Sequence, residues 1–239
     1  MVVEDFASPA TSQPICDQER LARPERAAWL VVVPFAATAL YYFFPGRLRQ
    51  NPWIVFAPQI AAYGMLAIWL LQNRARCRRL NLEPSRLFTA LSWGALIGLV
   101  MGTLNLTLLL AVIPGLGGDL SFLQKTPHAQ ASPWLMFPWG IAAIGILVEL
   151  NFRGFQLGRL LALGGNSPAA QAFAVIVSAL AFAWDPFMVQ VFRSLHWMAF
   201  TDGLVWGILL LRTRSLYATM AAHIVEVWIL YAGLKLWFH

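Results

Sequence analysis

Charge is scarce in this chain. Only 12% of its 239 residues are Asp, Glu, Lys or Arg, against about 25% in an ordinary soluble domain. With 59% hydrophobic residues and a mean hydropathy of +0.63, that deficit excludes a large water-soluble domain. Cysteine is nearly absent too. Cys16 and Cys77 are the whole complement, too few for a disulfide scaffold. Both fall in segments that read as cytoplasmic, so reduced thiols are expected. The first 26 residues lack the apolar core of a secretory signal peptide, so the first span is expected to stay as a signal anchor. A Met-Gly start and a C-terminal prenylation box are also missing. No internal repeat is evident, which argues against a transporter built from duplicated halves.

What remains is a polytopic membrane protein. A span needs about 20 apolar residues, and seven stretches qualify: 27–44, 53–71, 87–112, 134–155, 168–192, 195–211 and 216–238. Asp185-Pro186 interrupts the fifth and the sixth is short, so the expected fold is an all-α transmembrane bundle of six to eight spans. Three parts are expected: a polar tail over 1–26, N-terminal helices over 27–112, and a core over 134–228 whose last helix continues to 238. Tryptophans stand near several span ends (Trp29, Trp53, Trp134, Trp197, Trp237), as an interfacial belt requires. Twelve Lys and Arg fall on the N-terminal side of this scheme and five on the other. The positive-inside rule then puts the N-terminus in the cytoplasm of a cell whose inner (plasma) membrane holds the chain. The net charge of +6 is explained by these flanking arginines, so no nucleic-acid partner is expected.

Gly94, Gly98 and Gly102 recur every four residues in the third span, and Gly203 and Gly207 do so in the sixth. Both read as close-packing ridges for a neighbouring helix. The ionisable residues within spans are few: Glu149, Asp185, His196, Asp202, His223 and Glu226. A carboxylate at the bilayer centre costs roughly 2.5–3.5 kcal/mol or more, so each marks a candidate site. Glu149 and Arg153 are i,i+4, and His223 and Glu226 are i,i+3, so each pair shares a helix face. Glu149 and His223 fall at similar depth by residue count, whereas Asp185 counts as deeper; Asp202 and His196 read as interfacial. Such groups can activate water for attack on a peptide bond, ligate a metal, or relay protons.

The order of the pieces resembles the intramembrane CPBP family, which includes type II CAAX prenyl proteases and bacteriocin-processing and immunity proteins. Glu149-Leu-Asn-Phe-Arg153-Gly-Phe is similar to its Glu-Glu-x-x-x-Arg motif. The segment from Phe182 to Asp185 is similar to Phe-x-x-x-His, and the stretch from Asp202 to Leu216, followed by His223, to its Gly-rich span, turn and last histidine. Three positions depart: the first glutamate falls on Val148, the histidine on Pro186, and the final Asn or Asp on Val227 beside Glu226.

The resemblance implies a membrane-embedded endopeptidase acting on a membrane-associated, CAAX-like peptide or protein. Glu149 would then be the general base, His223 would orient water or donate to the oxyanion, and Arg153 would hold the motif helix. Asp185, Glu226 and Asn151 would support them. No cofactor is expected, although a divalent metal stays open, as does the oligomeric state; membrane lipid is the surrounding partner. Two alternatives remain at this point: an inactive relative serving as a membrane scaffold, immunity or binding protein, and a small proton-coupled transporter.

Overall fold

The computed structural model describes residues 25–238, all helices, turns and loops with no strand among them. The polar tail up to residue 24, with Cys16, lies outside the described residues; Cys77 is an exposed free thiol. The main helices are α1 (Val32–Phe43), α2 (Ala57–Gln72), α3 (Leu87–Thr107), α4 (Ile141–Glu149), α5 (Gly158–Gly164), α6 (Pro168–Ala183), α7 (Pro186–Phe192), α8 (Trp197–Thr213) and α9 (Leu216–Phe238). Three continuous helical runs are long and apolar enough to cross a membrane: Leu87–Gly115, Pro133–Gly164 and Leu216–Phe238. A fourth is added if α6 and α7, bent by 59° at Trp184-Asp185, count as one span. The bend has a local cause. Pro186 cannot donate a backbone hydrogen bond, and Asp185 instead caps α7 by accepting from Phe187 N at 3.0 Å.

The glycine ridges behave as their spacing predicts. α3 lies along α9 so closely that a Cβ at Gly94 would overlap Ala218 O, and one at Gly98 would overlap the Ala222 backbone. In the second ridge a Cβ at Gly203 would come within 2.9 Å of Ala179, and one at Gly207 within 2.8 Å of Val175. Without a hydrophobic force between helices in lipid, this close backbone approach is what dispersion attraction needs.

The helix that carries the fourth span runs on past Phe155, further than the sequence reading drew it. Residues Leu150–Leu157 form a π-helical stretch that joins α4 to α5 and carries the helix on to Gly164. Arg153 and Arg159 are therefore not loop charges: they are 0% and 2% exposed. Arg159 is ion-paired to Glu25 and lies over the Trp69 ring at 3.9 Å. Glu25 also accepts from Trp69 Nε1 at 2.8 Å, which ties the N-terminal segment to the foot of α2 and α5. Arg26 and Asn73 complete that tie with reciprocal amide hydrogen bonds of 2.9 Å.

Candidate functional site

Glu149, at the end of α4, is fully buried. One of its oxygens serves two partners. Oε1 lies 2.8 Å from His223 Nδ1 on α9 and 3.3 Å from Arg153 Nη1 one turn further along its own helix. The Arg153 contact is a charge contact without hydrogen-bond geometry. All three guanidinium nitrogens, and Glu149 Oε2, have no hydrogen-bond partner among the described residues. Arg153 is held instead by the Phe182 ring, 4.7 Å from its guanidinium carbon, a cation–π contact that strengthens once water is excluded. Gly203 leaves the space it needs, since a Cβ there would stand 3.4 Å from Arg153 Nη2.

The π-helical stretch explains how this local sequence can hold the group. A π turn widens the helix and shifts its hydrogen-bond register, a feature frequent at functional sites. Side chains of neighbouring helices brace it and the turn before it: Ser178 Oγ donates to Phe152 O at 2.9 Å, and Tyr63 on α2 donates to Leu147 O at the end of α4 at 2.9 Å. Asn151 does not reach the Glu149–His223 contact. Its Oδ1 accepts from Gln156 Nε2 at 2.9 Å, a bond within the stretch.

A second buried group stands on the Arg153 side. Asn105 of α3 donates through one amide nitrogen to Asp202 Oδ1 at 2.9 Å and to Glu226 Oε1 at 2.7 Å. Asp202 is therefore buried within the helix bundle, and Glu226 pairs with Asn105 instead of His223. Sequence reasoning missed Asn105, because it looked only for ionisable residues within the spans and took its one amide, Asn151, from the motif. The signal was present: an amide three residues beyond Gly102 on a face that presses against α9. Asp185 stays apart from both groups. It caps α7 and accepts from Gln59 Nε2 on α2 at 2.8 Å. His196 packs edge-on to Trp184, ring centroids 5.0 Å apart. Among the described residues, no group of three or more His, Cys, Asp or Glu side chains is arranged to hold a metal ion.

Beside these polar groups lies a chamber of about 470 Å³, bounded mainly by α4, α6, α7 and α9 and by the loop before α4. Its inner wall is Val148, Phe152, Phe182, His223 and Val227. No carboxylate lines it among the described residues. Val148 and Val227, which stand where the resemblance places a glutamate and an Asn or Asp, both face this space. Glu149 sits behind it. His223 is the residue that joins the two: Nδ1 is committed to Glu149, and Nε2 is left as the nitrogen the chamber can meet.

Residues 130–229 match the family model described as type II CAAX prenyl endopeptidase Rce1-like. The matched segment contains Glu149, Asn151, Arg153, Asp185, Asp202, His223 and Glu226, while Asn105 lies outside it. No curated protein and no solved structure matches the chain.

Proposed function

From the premise of an Rce1-like segment in a multi-pass membrane protein, we propose that the chain is an intramembrane endopeptidase. It cleaves an apolar peptide segment of a membrane-associated protein, CAAX-like in character, and His223 rather than Glu149 meets the water. The observation that carries this reading is the Glu149–His223 contact of 2.8 Å with His223 on the chamber wall. The Nδ1 proton donates to Glu149, which sets the tautomer and leaves the Nε2 lone pair for water. His223 removes a proton as the water oxygen bonds to the peptide carbonyl. The buried carboxylate then offsets the imidazolium charge, as an orienting acid does in a Ser-His-Asp triad. Collapse of the tetrahedral species breaks the C–N bond, and Nε2–H returns the proton to the leaving amine. Arg153 offsets the standing charge of Glu149. The chain is placed in the inner membrane with its N-terminus in the cytoplasm.

Val148 and Val227 favour a second reading, in which the chamber holds an apolar chain without cutting it. Comparative terminal proteomics of membranes separates the two, using wild type, Glu149→Gln and His223→Ala at matched abundance. Uncleaved precursors shared by both variants support the endopeptidase. Identical termini in all three, with the variants folded, sink it and leave the holding chamber. Under the endopeptidase reading, Val148→Glu returns a carboxylate to the chamber wall and raises turnover of any precursor so identified. An unchanged rate counts against water being activated in that space.

A further inference from the structure

The chamber does not end at His223. His223, Val227, Leu230, Tyr231, Leu234 and Lys235 all line it from one face of α9. His223 and Lys235 are twelve residues apart along that helix, or about 18 Å at 1.5 Å per residue. The inner end is apolar apart from the histidine and the Gln59 amide, whose nitrogen donates to Asp185. The outer end changes character. Lys235 lines the space there with the amides of Gln124 and Gln130. The ammonium donates to Ala129 O at 2.8 Å and stands 5.8 Å from the Tyr231 ring centroid. No carboxylate is within ion-pair reach of it among the described residues. The Tyr231 hydroxyl, also on the chamber wall, has no hydrogen-bond partner among the described residues.

A lysine near a helix end in a membrane is commonly a snorkelling residue that reaches headgroups or offsets the helix dipole. Lys235 differs in lining the same partly open apolar chamber as His223, with the candidate site at the other end. A cation at one end of an apolar chamber favours one orientation of whatever enters, because an anionic end lying against it leaves neither charge unpaired.

We propose that Lys235, with Tyr231, is the subsite for the carboxylate end of an apolar chain lying along the chamber. The proposal rests on the chamber being a binding site, and it sets the register of the cleavage proposed above. Lys235 is a positioning residue for that reaction; it does not touch the reacting bond.

The test is displacement of 11-(dansylamino)undecanoate from the purified full chain in nanodiscs. Competitors are an apolar hexapeptide with a free C-terminus, the same peptide amidated, palmitate, and hexadecanol. Wild type is expected to prefer the carboxylate of at least one matched pair by about tenfold, the size of a single charged hydrogen bond. Preference within the peptide pair identifies a peptide end, and within the palmitate pair a fatty acid. Lys235→Gln is expected to abolish the preference while hexadecanol binds as before. Lys235→Arg should restore it, and Lys125→Gln, an exposed lysine outside the chamber, should leave it intact. Equal binding of acid and neutral forms by wild type overturns the subsite, as does an undiminished preference in a folded Lys235→Gln. Failure of cleavage with the carboxylate preference intact would count against the peptidase alone.

Discussion

At the scale of the residue, the Glu149–Arg153–His223 contacts make a sharp energetic statement. Removing one member of a buried ion pair typically costs about 3–5 kcal/mol, because the other charge is left uncompensated. Glu149→Ala should therefore lower the thermal unfolding midpoint in detergent markedly. Glu149→Ala combined with Arg153→Met should recover much of that loss, since apolar replacement of a whole pair is often neutral. The double variant would still lack the carboxylate that orients His223, so stability and activity should separate. A double variant no more stable than Glu149→Ala would mean that the pair does not share the cost. Asn105→Leu withdraws a donor from two buried carboxyl groups at once, and about 1–3 kcal/mol is expected for each acceptor left unsatisfied. A stability unchanged by Asn105→Leu would show that Asp202 and Glu226 do not depend on it. Sequence reasoning placed Glu149, Arg153 and His223 together because i,i+4 spacing and equal depth are properties of a helix. It could not see that one oxygen of Glu149 would serve both partners; an Asp directly before Pro186 did read as a helix cap, which is where Asp185 is found.

At the scale of the element, helix positions and glycine ridges were legible, because period and residue size determine them. The reach of the fourth span was not. Arg153 and Arg159 read as the polar end of a helix, and Glu25, Trp69 and the Arg79 carbonyl, all far away in sequence, explain how Arg159 is accommodated in the interior. The α3–α9 contact offers a clean check. At Gly98 a Cβ would stand 2.9 Å from Ala222 Cα, so Gly98→Ala should destabilise by about 1–3 kcal/mol through overpacking. Gly64 of α2 has nothing within 4 Å of such a Cβ, and Gly64→Ala should be neutral or stabilising by up to about 1 kcal/mol. Unfolding midpoints that fail to order as Gly64→Ala above Gly98→Ala would refute the account of that ridge.

For the whole molecule, the count of flanking arginines survives the loss of two of its members. With Arg153 and Arg159 buried in a helix, ten basic residues still face five in the proposed topology. Cys77 is exposed between α2 and α3, beside Arg76, Arg78 and Arg79. In a Cys16→Ser background, an impermeant thiol reagent should label Cys77 in inside-out vesicles and spare it in intact spheroplasts. The opposite pattern would invert the topology, and with it the side from which the Lys235 end of the chamber opens.

The partners of Arg153 also arrive at different times during synthesis. Glu149 precedes it by four residues and enters the bilayer in the same helix, so the two charges can neutralise one another on insertion. His223 and the Asp202–Glu226 group follow only with α8 and α9. Until the last helix leaves the ribosome, the buried pair lacks His223 and Glu226 in an environment hostile to ions. A nascent chain arrested before α9 would expose that imbalance to the proteases that survey unfinished membrane proteins, and docking of α9 would remove it.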